Sequence, residues 1–312
     1  MNSTPGILHP YNGVASSENL GKLDVINKVK RNQIEKSHIL MWPLLAVFLS
    51  ACAVPTENDA ASTQTTGDVP AEVKKDEYGR PDLNGIWQAM GSAHWDLEAH
   101  AARKGPVVSM GALGAISAGM SVVEGGEIPY QPWARQQQKK NLANWPALDP
   151  AVKCFMPGIP RATYMPFPFQ IVQGKEHILL SYEFASATRM VYMNRPDFEH
   201  PFEAWMGHSR GRWEGDTLVI DVTSHVADTW FDTSGNFHSE DLKVEERFTR
   251  ISENTLQYEA TVEDPKVFTR PWKIRLPLYR RLEPNAQILE FKCVEFAEEL
   301  MYGHLIKRAE DG

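Results

Sequence analysis

Four side chains in this sequence could do acid-base or metal chemistry: Asp96, His100, His225 and His238. Asp96 and His100 are four residues apart, so on a helix beginning near His94 they share a face, a spacing that suits a histidine–carboxylate dyad or two metal ligands. His225 closes one expected strand and His238 opens the next. The loop between them, residues 226–237, adds Asp228 and Asp232 as carboxylates and Trp230 and Phe231 as apolar walls. A neutral imidazole can ligate zinc or copper, or move a proton near neutral pH. Two separated segments lack the tight spacing of a motif such as HExxH, so the same residues equally suit caps, turns and rim contacts. No metal is assigned, and the sequence leaves the cofactor unknown.

A second constellation lies in the strands. Along 242–248, alternation places Leu242, Val244, Glu246 and Phe248 on one face; along 272–282 it groups Trp272, Ile274, Leu276 and Leu278 with Arg280 and Leu282. Glu246 and Arg280 therefore interrupt apolar faces, and an isolated buried charge is costly. They pair with each other, or lie at a wet barrel rim, or Arg280 receives the carboxylate of a ligand, for which its planar fork is suited. Trp205, Trp213 and Trp230 are the aromatic side chains that could wall such a ligand, with core or rim packing as the alternative. Ser209 stands in Gly-His-Ser-Arg-Gly, but the serine nucleophile elbow needs strand, sharp turn and helix, and here a hairpin follows. No P-loop or strand-to-helix GxGxxG is present.

Positioning these groups falls mainly to β structure. From residue 164 onward, short runs rich in Val, Ile, Tyr, Phe and Thr are divided by turn residues. Strands are expected near 167–173, 177–184, 187–193, 210–214, 217–224, 241–251, 255–263, 270–282 and 287–296, after a first short one at 82–88. Gly215-Asp216 and Ser252-Glu253-Asn254 mark tight hairpins. So many successive antiparallel strands favour closure, which removes exposed edges. Before them come expected helices at about 94–104 and 132–145, separated by a glycine-rich loop or lid at 105–128. The fold class is mainly β: an antiparallel barrel with one or two N-terminal helices, forming a single domain over 80–312 with a helical or loop insertion at about 94–146.

Composition limits the partners. The chain carries a formal net charge of −8, which argues against nucleic acid and against a polybasic membrane patch. With 42% apolar residues it can bury a substantial core. Residues 39–49 form an apolar run too short to span a bilayer, preceded by Lys28, Lys30, Arg31 and Lys36 and ending at Leu49-Ser50-Ala51-Cys52. That ending resembles the lipobox of bacterial lipoproteins. The resemblance implies cleavage of 1–51, lipidation (palmitate) at Cys52 and a membrane contact made through the lipid, with 52–79 as a flexible tether. Ala53 stands where the family's inner-membrane retention signal has Asp, which implies the outer membrane, facing the periplasm. In that oxidising compartment, Cys154 and Cys293 read as a disulfide, with two free buried thiols as the alternative.

Four motifs carry a wider resemblance: Asp82-Leu-Asn-Gly-Ile-Trp-Gln88, Cys154-Phe-Met-Pro-Gly-Ile-Pro-Arg161, the run from Trp205 to Asp221, and Val262-Glu-Asp-Pro-Lys-Val-Phe-Thr-Arg-Pro-Trp272. Together they resemble a family of exported bacterial lipoproteins over most of residues 80–303. The resemblance implies location and a β-rich fold and hands over no catalytic residues. The hairpin-rich second half also looks like the lipocalin-like barrels, which implies a small hydrophobic or amphiphilic molecule bound inside. The alternative is an enzyme of lyase, isomerase or hydratase type, using the histidines and carboxylates on an apolar substrate in the same cavity.

Overall fold

The computed structural model describes residues 73–105, 108–145, 147–196, 201–295 and 297; the expected signal segment and Cys52 lie outside the described residues. Residues 73–79, within the expected tether, are already folded against the domain. The Asp76 carboxylate accepts from the backbone of Tyr78 and Arg80 and from the Gln173 amide.

Nine strands close into a barrel in chain order. They are β1 (Gly85–Ala89), β2 (Phe169–Gln173), β3 (His177–Tyr182), β4 (Thr188–Met193), β5 (His208–Glu214), β6 (Thr217–Thr223), β7 (Lys243–Ser252), β8 (Thr255–Glu263) and β9 (Trp272–Arg280). An odd number of strands cannot alternate direction all the way round a closed wall, so one join must be parallel. It falls between β4 and β5. Every other join is antiparallel. The expectation of a mainly β chain closed into a barrel is met; the barrel is mixed, and the lipocalin likeness gains no support.

Strand alternation places the core where the sequence puts it. Leu242, just before β7, and Val244, Glu246 and Phe248 within it are all at most 2% exposed, and the last three pair with Val262, Ala260 and Tyr258 of β8. The β5–β6 hairpin turns at Gly215-Asp216, with Gly215 at φ +59°. The β7–β8 turn is closed by the Ser252–Thr255 pair after a bulge beyond Arg250.

Two expected elements do not form. Residues 94–104 have good helix formers, yet their backbone is irregular because its N–H groups are taken by distant partners. Leu97 donates to the Asp232 carboxylate, His100 to Gly119 and Arg103 to Ile116. A tenth strand at 287–296 is absent because β9 already pairs with β1 and leaves no edge to join. The expected helix at 132–145 is present as α1 (Pro132–Ala143), and a single helical turn, α2 (Arg161–Tyr164), reaches the upper mouth, the end at which β6 finishes and β7 begins. The glycine-rich 105–128 segment is partly packed: Ile116, Val123 and Ile128 are buried, and Val123 bridges to Ile274. Cys154 and Cys293 form a disulfide with 5.6 Å between α-carbons, tying the segment before α2 to the stretch after β9. Among the described residues, no helix is long and apolar enough to cross a membrane.

Candidate functional site

The upper half of the barrel interior holds a buried polar cluster within the apolar core. Glu246 on β7 is fully buried, and its Oε2 accepts from Arg189 Nη1 at 2.6 Å. Its Oε1 accepts from the Tyr258 hydroxyl on β8 at 2.7 Å and, more weakly, from Thr163 of α2 at 3.5 Å. Arg189 Nη1 also donates to Ser209 Oγ on β5, while the Tyr182 ring lies 6.0 Å from its guanidinium carbon. Burial alone would lower the Arg189 pKa, but Glu246 and its hydroxyl-bearing neighbours hold the guanidinium above its ordinary value. Burial, then the Glu246 charge, push the Tyr258 phenol well up, so it remains a donor.

The pair leaves part of the arginine free. Arg189 Nε and Nη2 are buried and have no hydrogen-bond partner within the protein. His225, on which the Arg189 charge acts, is fully buried, and neither ring nitrogen has a hydrogen-bond partner. Burial, then the proximity of His238, lower its pKa to about 3; the Val222 backbone, which favours the charged ring, opposes this and Arg189 adds to it. His225 is therefore a neutral imidazole, with one N–H and one lone pair. Gly207 makes room for this ring: it sits at φ +63°, and a Cβ there would lie 2.9 Å from His225 Cε1. An unsatisfied buried polar group costs about 1–3 kcal/mol, so Arg189 Nε and Nη2 and the His225 ring are groups with hydrogen-bonding capacity to spare.

Of the expected histidine cluster, two members meet. The His225 and His238 rings are 6.0 Å apart between centroids. His238 Nδ1 lies 2.8 Å from the Ser239 carbonyl and Nε2 lies 2.7 Å from Thr229 Oγ1. The carbonyl only accepts, so Nδ1 carries the proton and Nε2 accepts from Thr229. That leaves His238 engaged on both sides. Asp96 and His100 do not share a helical face: Asp96 caps the Glu98 N–H, and the half-buried His100 ring faces the carbonyls of Glu98 and Ser117. The carboxylate that does anchor the histidine loop is Asp232. It accepts from the backbones of Leu97, Ser234 and Asn236 and from the Asn236 amide, joining residues 92–104 to the loop. Burial, then the Asp96 charge, raise its pKa to about 8, against four donors that favour the carboxylate.

The other expected ligand contacts lie apart. Arg280 and Glu246 do not pair. Arg280 is half-buried at the lower mouth, 4.4 Å from the Trp87 ring centroid and donating to the Asn84 carbonyl. It borders an open groove of about 760 Å3 with Gln88, Met90, Tyr279 and Leu282. Trp205 stacks on Phe155 at 4.7 Å, Trp213 lies 5.9 Å from Arg80 and Trp230 is buried in the histidine loop, so the three do not form one wall. Ser209 is the second residue of β5, and the hairpin to β6, not a helix, follows it. Among the described residues, no group of three or more His, Cys, Asp or Glu is placed to hold a metal ion.

The partner that sequence reasoning missed is Arg189. Its signal was present: in Thr188-Arg-Met-Val-Tyr-Met193, alternation groups Arg189 with Val191 and Met193, all buried. The chain matches no protein-family model, no curated protein and no solved structure. The reading of the site rests on its own geometry.

Proposed function

We propose that this chain is an outer-membrane-anchored periplasmic lipoprotein whose barrel takes up a small amphiphilic molecule. The polar head lies against Arg189 and His225, and the apolar remainder lies among the buried rings of Tyr164, Tyr182 and Phe231. The observation that carries this reading is that Arg189 Nε and Nη2 and both His225 ring nitrogens are buried without a hydrogen-bond partner in the protein. Each such group gains the free energy of a hydrogen bond when a ligand head meets it. The address rests on the lipobox resemblance at Cys52, and Cys52→Ser should move the protein from membrane to soluble fractions; continued retention overturns the anchor.

Uptake is tested with six-carbon amphiphiles bearing neutral, anionic or cationic heads, followed through the 15N shifts of the histidine rings. Saturable movement of the His225 signal, identified by its loss in His225→Phe, is expected while His100 stays fixed. If no head type moves His225 saturably, the binding reading fails. The enzyme reading keeps only His225 as a free acid-base group, since His238 is engaged and Asp96 and His100 lie elsewhere.

A further inference from the structure

The charge around the free donors fixes the kind of head they can take. Arg189 supplies the positive charge, but Glu246 already cancels it at 2.6 Å. The next cation, Arg161, is bound at both Nη atoms by Asp149, each contact 2.8 Å. The other buried titratable groups near this end are carboxyls, which supply no positive charge. Asp232 lies in the histidine loop, and Asp264 accepts from Ser239 and acts on His238. His225 and His238 are neutral, and no third cation compensates an incoming negative charge among the described groups that bear on the site. A carboxylate brought here would add an unmatched charge to a dry interior, which costs more than its hydrogen bonds return.

A cationic head fails for a different reason. The unsatisfied atoms of Arg189 are both N–H donors, and an ammonium group has no lone pair to offer them. What fits is a neutral group with an accepting oxygen and a donor of its own. The oxygen takes the Arg189 N–H groups, and the donor meets the lone pair of the His225 ring.

We propose that the upper barrel interior is selective for an uncharged carbonyl or hydroxyl head, of which a primary amide is the best match, over a carboxylate or an ammonium. This rests on the binding site proposed above and adds the chemical class of its ligand. The difference from an ordinary fatty-acid carrier is the internal counter-ion: Glu246 occupies the place that a ligand carboxylate would take.

The test compares hexanamide, 1-hexanol, hexanoate and hexylammonium on the unmodified protein at pH 7, with calorimetry for affinity and the His225 15N shift for location. Hexanamide is expected to bind at least tenfold more tightly than hexanoate, with 1-hexanol between them and hexylammonium giving no saturable shift. Hexanoate binding as tightly as hexanamide, or hexylammonium binding more tightly, overturns the selectivity while leaving uptake intact. Failure of all four at the His225 signal overturns uptake itself, and the selectivity falls with it.

Discussion

Two buried arginine–carboxylate pairs meet α2, and they are built to different ends. Arg161, the first residue of the turn, is held by both Asp149 oxygens, and Asp149 also accepts from the Ala151 backbone and the Trp145 indole. That pair is a closed clamp, with its carboxylate shared among four donors and only Arg161 Nε left over. Arg189 reaches Glu246 through Nη1 alone, and both remaining nitrogens are buried without a hydrogen-bond partner. Burial is the same in the two pairs, at most 2% side-chain exposure throughout. The difference lies in how completely the fork is satisfied: one nitrogen is left over in the clamp, and two are left over on Arg189.

The largest effects come from neutralising one side of each pair. Asp149→Asn and Glu246→Gln both strand a buried guanidinium and should each cost about 3–5 kcal/mol in urea unfolding. The distinction appears on adding acetate. In Glu246→Gln the vacated counter-charge sits beside free donors, so acetate should restore stability in proportion to its occupancy. In Asp149→Asn the Arg161 fork has no comparable opening and acetate should do nothing. Equal rescue of both variants, or of neither, would erase the contrast between the two pairs.

How much of this was legible beforehand follows from the range of the interactions. The inward position of Glu246 follows from a period of two within a single strand, and β7 adopts it. Arg189 obeys the same period, but its pairing with Glu246 spans 57 residues and depends on which strands face each other across the barrel. The failed helix at 94–104 has the same cause in reverse. Local propensity favoured it, and long-range acceptors such as Asp232, 135 residues from Leu97, won. The absent tenth strand was decided by closure of β9 on β1, a global property that no window of sequence contains.

The smaller test uses the histidine beside each arginine. Burial, then the Arg161 charge, lower the His94 pKa to about 4, while burial and then His238 lower that of His225 to about 3. A histidine whose folded pKa is depressed binds fewer protons in the native state, so its linkage cost is absent above the unfolded value of about 6.5 and grows as the pH falls. At pH 5 each should have removed about 2 kcal/mol of stability, and the loss levels off only near the folded values. His94→Phe and His225→Phe should each flatten the acid limb of a stability–pH curve by that amount. Ligand separates the two. With hexanamide bound, the lone pair of His225 is occupied by a hydrogen bond to the neutral ring, so its share of the acid loss should go on growing below about pH 3, where it otherwise levels off, while that of His94 still levels off near about pH 4. If hexanamide alters the two shares equally, the ligand is not seated on His225, and the upper barrel is a packed polar core like the Asp149 clamp.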